Sequence, residues 1–124
     1  MDTPILSEGG VAADADLIKN TTTKDFMRDV VDASREVPVL VDFWAPWCGP
    51  CRLVSPVVEA VGEAHADKIA TAKVNTDENQ GLAMRYSIFS IPTMILFKDG
   101  REAARLVGYM PQEAMEERLA AHLI

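Results

Sequence analysis

Two cysteines, three residues apart, are the groups in this chain best suited to covalent chemistry: Cys48 and Cys51, in Trp44-Ala45-Pro46-Trp47-Cys48-Gly49-Pro50-Cys51. An apolar run of strand length, Pro38 to Ala45, ends just before them, and a helical pattern reaching about His65 begins with them. Residues three apart on a helix share a face, about 5–6 Å apart, which lies within disulfide range. A helix N-terminus adds unpaired N–H groups and the positive end of the macrodipole, both of which favour the thiolate of Cys48. The thiolate is the nucleophilic form of cysteine. Pro50 fits the first turn, where its missing N–H has no intrahelical partner to lose.

A purely structural disulfide is a poor explanation for the pair. Closing so short a loop constrains the unfolded chain by only about 2 kcal/mol, against about 3 for a loop of 15 residues. Zinc is the stronger competitor, since Cys48, Cys51 and His65 approach the start of a two-Cys, two-His finger. The only other histidine is His122, however, and structural zinc takes four ligands. The strand-to-helix context therefore favours dithiol redox chemistry, and no metal is expected.

The surrounding pattern is that of an α/β domain. Leu17-Ile18 is long enough only for an edge strand. Thr22 or Thr23 can cap a helix reaching about Ser34, with Phe26, Val30 and Val31 on one face. Leu53, Val54, Val57, Val58 and Val61 are expected on the buried side of the long helix, with Pro56 bending it. Ile69 to Val74 reads as a strand and Asn79 to Tyr86 as a short helix. Pro92 to Phe97 and Arg101 to Val107 form a hairpin about Lys98-Asp99-Gly100. A last helix starts near Pro111, its inner stripe being Met115, Leu119 and Leu123. This order predicts a central mixed sheet of about five strands with four helices on its two faces.

Asp42 interrupts the apolar strand, an expensive place for a carboxylate unless it reaches solvent at a strand end. Val39-Leu40-Val41 and Phe43-Trp44 around it favour burial. Burial raises the pKa of such a group and a nearby cation such as Lys73 lowers it, so Asp42 is a candidate proton acceptor for Cys51. By pattern alone Lys73 could equally project to solvent.

The 124 residues suit one domain, with 48% apolar and 25% charged residues and a net charge of −7. The acidic balance argues against nucleic acid and against an anionic membrane surface. No apolar run approaches the roughly 20 residues needed to span a bilayer. The first 14 residues read as a flexible tail, with the domain over 15–124. Asp2, Glu8, Asp14 and Asp16 precede the first basic residue, Lys19. That is neither a secretory nor an organellar pattern, so a cytoplasmic protein is expected.

Several segments together resemble the thioredoxin family: WCGPC at Trp47 to Cys51, VDFWA at Val41 to Ala45 and AKVN around Lys73. IPT at Ile91 to Thr93, FKDG at Phe97 to Gly100 and VG at Val107-Gly108 follow in the same order. The similarity runs from about Leu17 to Leu123. It implies the thioredoxin fold and a dithiol–disulfide oxidoreductase that reduces disulfides in client proteins. The resemblance makes Cys48 the nucleophile and Cys51 the resolving thiol, with Asp42 as proton acceptor tuned by Lys73. Gly49, Pro50 and a cis Pro92 shape the site. Trp47, Ile91, Phe89 and Gly108 are expected to form an apolar docking rim.

No cofactor is implied beyond the Cys48–Cys51 disulfide. The implied partners are disulfide-containing clients and a thioredoxin reductase, usually a flavoenzyme drawing on NADPH, and a monomer is expected. Phe89-Ser90 and Tyr109 depart from the commonest family pattern and bear on client choice. Two other readings stand beside this one: a donor dedicated to one client, and a redox-independent scaffold or binding subunit with the same fold.

Overall fold

The computed structural model describes residues 18–123, so the tail expected over residues 1–14 lies outside the described residues. Five strands form one sheet: β1 (Ile18–Asn20), β2 (Val39–Trp44), β3 (Ala70–Asn75), β4 (Thr93–Lys98) and β5 (Arg101–Val107). The spatial order is β1-β3-β2-β4-β5. β3 runs parallel to both β1 and β2, while β4 is antiparallel to β2 and β5. The mixed sheet is therefore built around β2, the apolar run that leads to the cysteines.

Strand alternation divides the core into two. Val39, Val41 and Phe43 of β2 face the first helix, α1 (Met27–Asp32), and α3 (Gln80–Arg85), packing with Phe26, Val30 and Leu82. Phe26 and Tyr86 both meet Phe97, edge-on, with centroids 5.6 and 5.4 Å away. Leu40 faces the other way, toward α2 (Gly49–Ala64) and α4 (Gln112–Leu119), with Val54, Val58, Met115 and Leu119. By the same period of two, Asp42 lies on the α2 side of the sheet.

Two local expectations are corrected. The first helix starts at Met27, in wide π-type turns followed by a 3-10 turn at Ala33–Arg35, and not at a threonine cap. The amide and hydroxyl of Thr23 are instead engaged by Asn79 Oδ1, at 2.8 and 3.0 Å, a contact between residues 56 apart in sequence. Leu53 is 65% exposed, because the buried stripe of α2 runs through Cys51, Val54, Val58 and Val61, and Leu53 falls outside it.

At the far end of the hairpin, Asp99 (φ 55°) and Gly100 (φ 85°) make a two-residue turn with both centres in the left-handed region. Ser34 holds it: its carbonyl accepts from the Asp99 amide at 2.8 Å and its hydroxyl from the Gly100 amide at 2.9 Å. Gly100→Ala keeps both bonds but places a Cβ at this φ and displaces the Arg35 guanidinium. Its expected cost is about 1–2 kcal/mol, read as a lower urea midpoint. An unchanged midpoint would mean that the turn does not impose this conformation.

Candidate active site

Cys48 is the last extended residue before α2, with φ −89° and ψ 113°, and it is the helix's N-cap. Its Sγ accepts the Cys51 backbone N–H at 3.1 Å, a place usually filled by an oxygen. Gly49 and Pro50 occupy the first turn, where Pro50 sacrifices no intrahelical bond. Cys48 and Cys51 are joined as a disulfide, their Cα atoms 5.3 Å apart. Both are buried, against Ala45, Trp44 and Ile91. A negative charge developing on Cys48 Sγ meets a backbone donor and the positive end of a 16-residue helix.

The Ile91-Pro92 peptide is cis, and the Ile91 carbonyl oxygen lies 3.8 Å from Cys48 Sγ. The Pro92 carbonyl accepts the Gly108 amide at 2.8 Å, joining the ends of β4 and β5 beside the sulfurs. Gly108 has φ 89°, a conformation suited to glycine, and a Cβ built there meets nothing within 4 Å among the described residues. The glycine is thus a backbone requirement that also leaves the surface above it open.

Trp47 is 69% exposed and Phe89 91% exposed. They line one cleft of about 360 Å3 with Thr76, Ile88, Ser90 and Ile91. The Trp47 indole N–H donates to the Asp77 carboxylate at 3.0 Å, and the Asp77 amide is itself held by Asn75 Oδ1 at 2.9 Å. Sequence reasoning passed over Asp77. The available signal was its position just past the carboxyl end of β3, the side of an α/β sheet where sites form.

Asp42 is fully buried, and neither of its carboxylate oxygens has a hydrogen-bond partner among the described residues. Burial pushes its carboxyl up to about 6, opposed by the charge of Lys73. Parallel pairing sets Lys73 opposite Asp42, on the α2 side of the sheet. Its ammonium donates to Ser55 Oγ at 3.1 Å and sits 4.9 Å from the centre of the Trp44 ring. Ser55 was also missed, although it stands four residues after Cys51 and so on the same helix face. Cys51, Ser55, Lys73 and Trp44 share a second cleft, of about 330 Å3. Cys51 lines this second cleft, whereas the first borders the sulfur pair only through Trp47 and Ile91.

Neither histidine joins the sulfurs. His65 caps the other end of α2, with Nε2 3.0 Å from Glu116, and His122 lies beyond α4. Among the described residues no group of three His, Cys, Asp or Glu is arranged to hold a metal ion. Nor is any described helix long and apolar enough to cross a membrane.

Residues 17–121 match the family model described as Thioredoxin. The chain belongs to the thioredoxin family. It is 58% identical over 83 residues to a protein named thioredoxin from Alicyclobacillus acidocaldarius, covering 67% of this chain and 79% of the relative. To thioredoxin 1 of Synechococcus elongatus it is 47% identical over 102 residues, 82% and 94% of the two chains. With the chloroplastic M-type thioredoxin of Spinacia oleracea it shares 40% over 106 residues, 86% of this chain and 56% of that one. A thioredoxin domain with its two cysteines in disulfide contact is a thiol–disulfide oxidoreductase with protein-disulfide reductase activity. Thioredoxins work through their own disulfide, and membership of the family implies a reductase and disulfide-bearing clients as partners.

Proposed function

We propose that this thioredoxin reduces client disulfides in two displacements, with Cys48 as attacking sulfur and Cys51 as resolving sulfur. Cys48 thiolate attacks one client sulfur and forms a mixed disulfide, and the other client sulfur leaves as a thiolate that takes up a proton. Asp42 then accepts the proton of the Cys51 thiol, directly or through water in the cleft beside Lys73. Cys51 thiolate attacks Cys48 Sγ, the intermolecular bond breaks, and the second client sulfur departs. The client gains two electrons and the protein is left as the Cys48–Cys51 disulfide. Lys73 tunes Asp42, while Gly49, Pro50 and the cis Pro92 shape the site. A thioredoxin reductase, in this family usually a flavoenzyme using NADPH, restores the dithiol without any cofactor bound to this chain.

Trp47, Phe89, Ile91 and Gly108 form the surface on which an extended client segment lies. The catalytic domain is residues 15–124, acting as a monomer in the cytoplasm. The single observation that carries this reading is Cys48 Sγ at the head of α2, accepting the Cys51 amide at 3.1 Å. That donor lowers the energy of the thiolate at the one position where attack must begin.

An NADPH-coupled insulin-reduction assay with a bacterial thioredoxin reductase tests the proposal. The parent chain is expected to sustain NADPH oxidation, and Cys48→Ser to reduce it to the rate without thioredoxin. Turnover by Cys48→Ser at a substantial fraction of the parent rate would exclude Cys48 as the attacking group.

A further inference from the structure

The segment that carries the docking rim leaves α3 through a corner at Ser87, whose φ of 55° is uncommon for a residue with a side chain. Five residues, Ser87 to Ile91, connect this corner to the cis bond facing Cys48. They form no strand or helix, and Phe89 within them is almost wholly exposed. The corner is nevertheless heavily tied. The amides of Ser87 and Ile88 donate to the carbonyls of Met84 and Ala83, at 3.0 and 2.9 Å.

The carbonyls of the corner are held from the other side of the rim. Arg105, on the edge strand β5, donates through Nη2 to the Tyr86 carbonyl at 2.7 Å and through Nη1 to the Ser87 carbonyl at 3.3 Å. The same guanidinium is oriented by Glu102, with Nε and Nη2 at 2.8 and 2.9 Å from its two carboxylate oxygens. Arg118 of α4 in turn donates to the Arg105 carbonyl at 3.2 Å. The Glu102 carboxyl is held below its usual range, first by its hydrogen bond from Arg105. A planar fork with five donors can serve both carbonyls and the carboxylate at once, whereas a lysine cannot.

We propose that Arg105, braced by Glu102, is a positioning residue for client reduction. It fixes the Tyr86–Ser87 corner and thereby presents Phe89 and Ile91 to the client in a set geometry. The inference rests on the docking role given to Phe89 and Ile91 above. It adds a determinant on β5 that touches neither the client nor the sulfurs. Binding to a preset surface avoids the cost of ordering it, so a loosened corner weakens protein clients. A small disulfide needs only Cys48 and is indifferent to the rim.

The experiment compares Arg105→Met, Arg105→Lys, Glu102→Gln and Phe89→Ala in reduction of insulin and of the small aromatic disulfide 5,5′-dithiobis(2-nitrobenzoate), with thermal unfolding alongside. Arg105→Met is expected to raise the KM for insulin about three- to tenfold with kcat little changed, leaving the rate with the small disulfide within about twofold of the parent. Arg105→Lys restores part of the loss, and Glu102→Gln reproduces part of it. A lowered melting temperature with an unchanged insulin KM would make Arg105 merely structural and overturn the proposal. Equal slowing with both substrates would overturn it too, by placing the effect at the sulfurs. Phe89→Ala separates this from the docking reading. If it raises the insulin KM while Arg105→Met does not, docking stands and positioning falls; if neither changes it, both fall.

Discussion

Cys51→Ser, mixed in reduced form with an oxidised protein client, accumulates a covalent adduct at Cys48 and all but stops turning over. Cys51 lies three residues, nearly one helical turn, beyond Cys48, with Cα atoms 5.3 Å apart and its own amide already bonded to the Cys48 sulfur. Reacting groups held in such proximity gain effective concentrations of about 10⁵ M or more, far beyond any dissolved thiol. Steady-state insulin reduction is therefore expected to fall at least about a thousandfold when resolution depends on millimolar external thiol. Mass spectrometry of the trapped species checks the outcome: its mass equals the sum of the two chains and reverts on treatment with strong reductant. Normal turnover by Cys51→Ser, with no adduct, would show that the second sulfur does not resolve the first.

Asp42→Asn is expected to stabilise the oxidised protein, by an amount that depends on pH. The carboxyl sits at about 6 in the folded chain, against the model-compound value of 3.8. Between those limits the folded protein retains a proton that the unfolded chain has already released. Folding stability therefore falls as pH rises through this window and stays low above it. A displacement of about two pH units corresponds to about 3 kcal/mol. Asparagine has no charge to desolvate, so its advantage over the parent should grow by about 3 kcal/mol between about pH 3.5 and pH 8. Urea unfolding at both pH values measures this directly. A constant difference across the range would mean that Asp42 titrates as an ordinary carboxylate. The same variant should slow resolution of mixed disulfides and remove an inflection near pH 6 from its rate profile.

What could be read from the chain alone follows from which interactions are local. The apolar run of β2, the helix rising from Cys48 and the Met115–Leu119 stripe each depend on near neighbours in sequence, and each is present. Thr23 does not cap α1, and its amide is instead claimed by Asn79, across 56 residues. Leu53 adjoins Val54 in sequence, yet a rotation of one residue about a helix is enough to carry its side chain out of the buried stripe.

The candidate site divides in the same way. Cys48, Gly49, Pro50 and Cys51 were legible because residue type and spacing alone describe their chemistry. Asp42 and Lys73 were ambiguous because a strand pattern does not state its register. Only the pairing of β2 with β3 brings them to the same height, on the α2 side of the sheet. Asp77 and Arg105 escaped notice for a plainer reason. Each is an ordinary surface residue until the fold brings Trp47 to the one and the Tyr86–Ser87 carbonyls to the other.

The bolt that Ser34 makes across the hairpin tip has a practical side. β4 has its cis-proline end beside the sulfurs and its turn end, at Asp99–Gly100, about 20 Å away by strand rise. The molecule thus has a reactive pole and an anchored one. Dyes, immobilisation linkers or fused domains grafted at the Lys98–Arg101 tip would hang from the anchored pole, leaving incoming clients an unobstructed approach to the other.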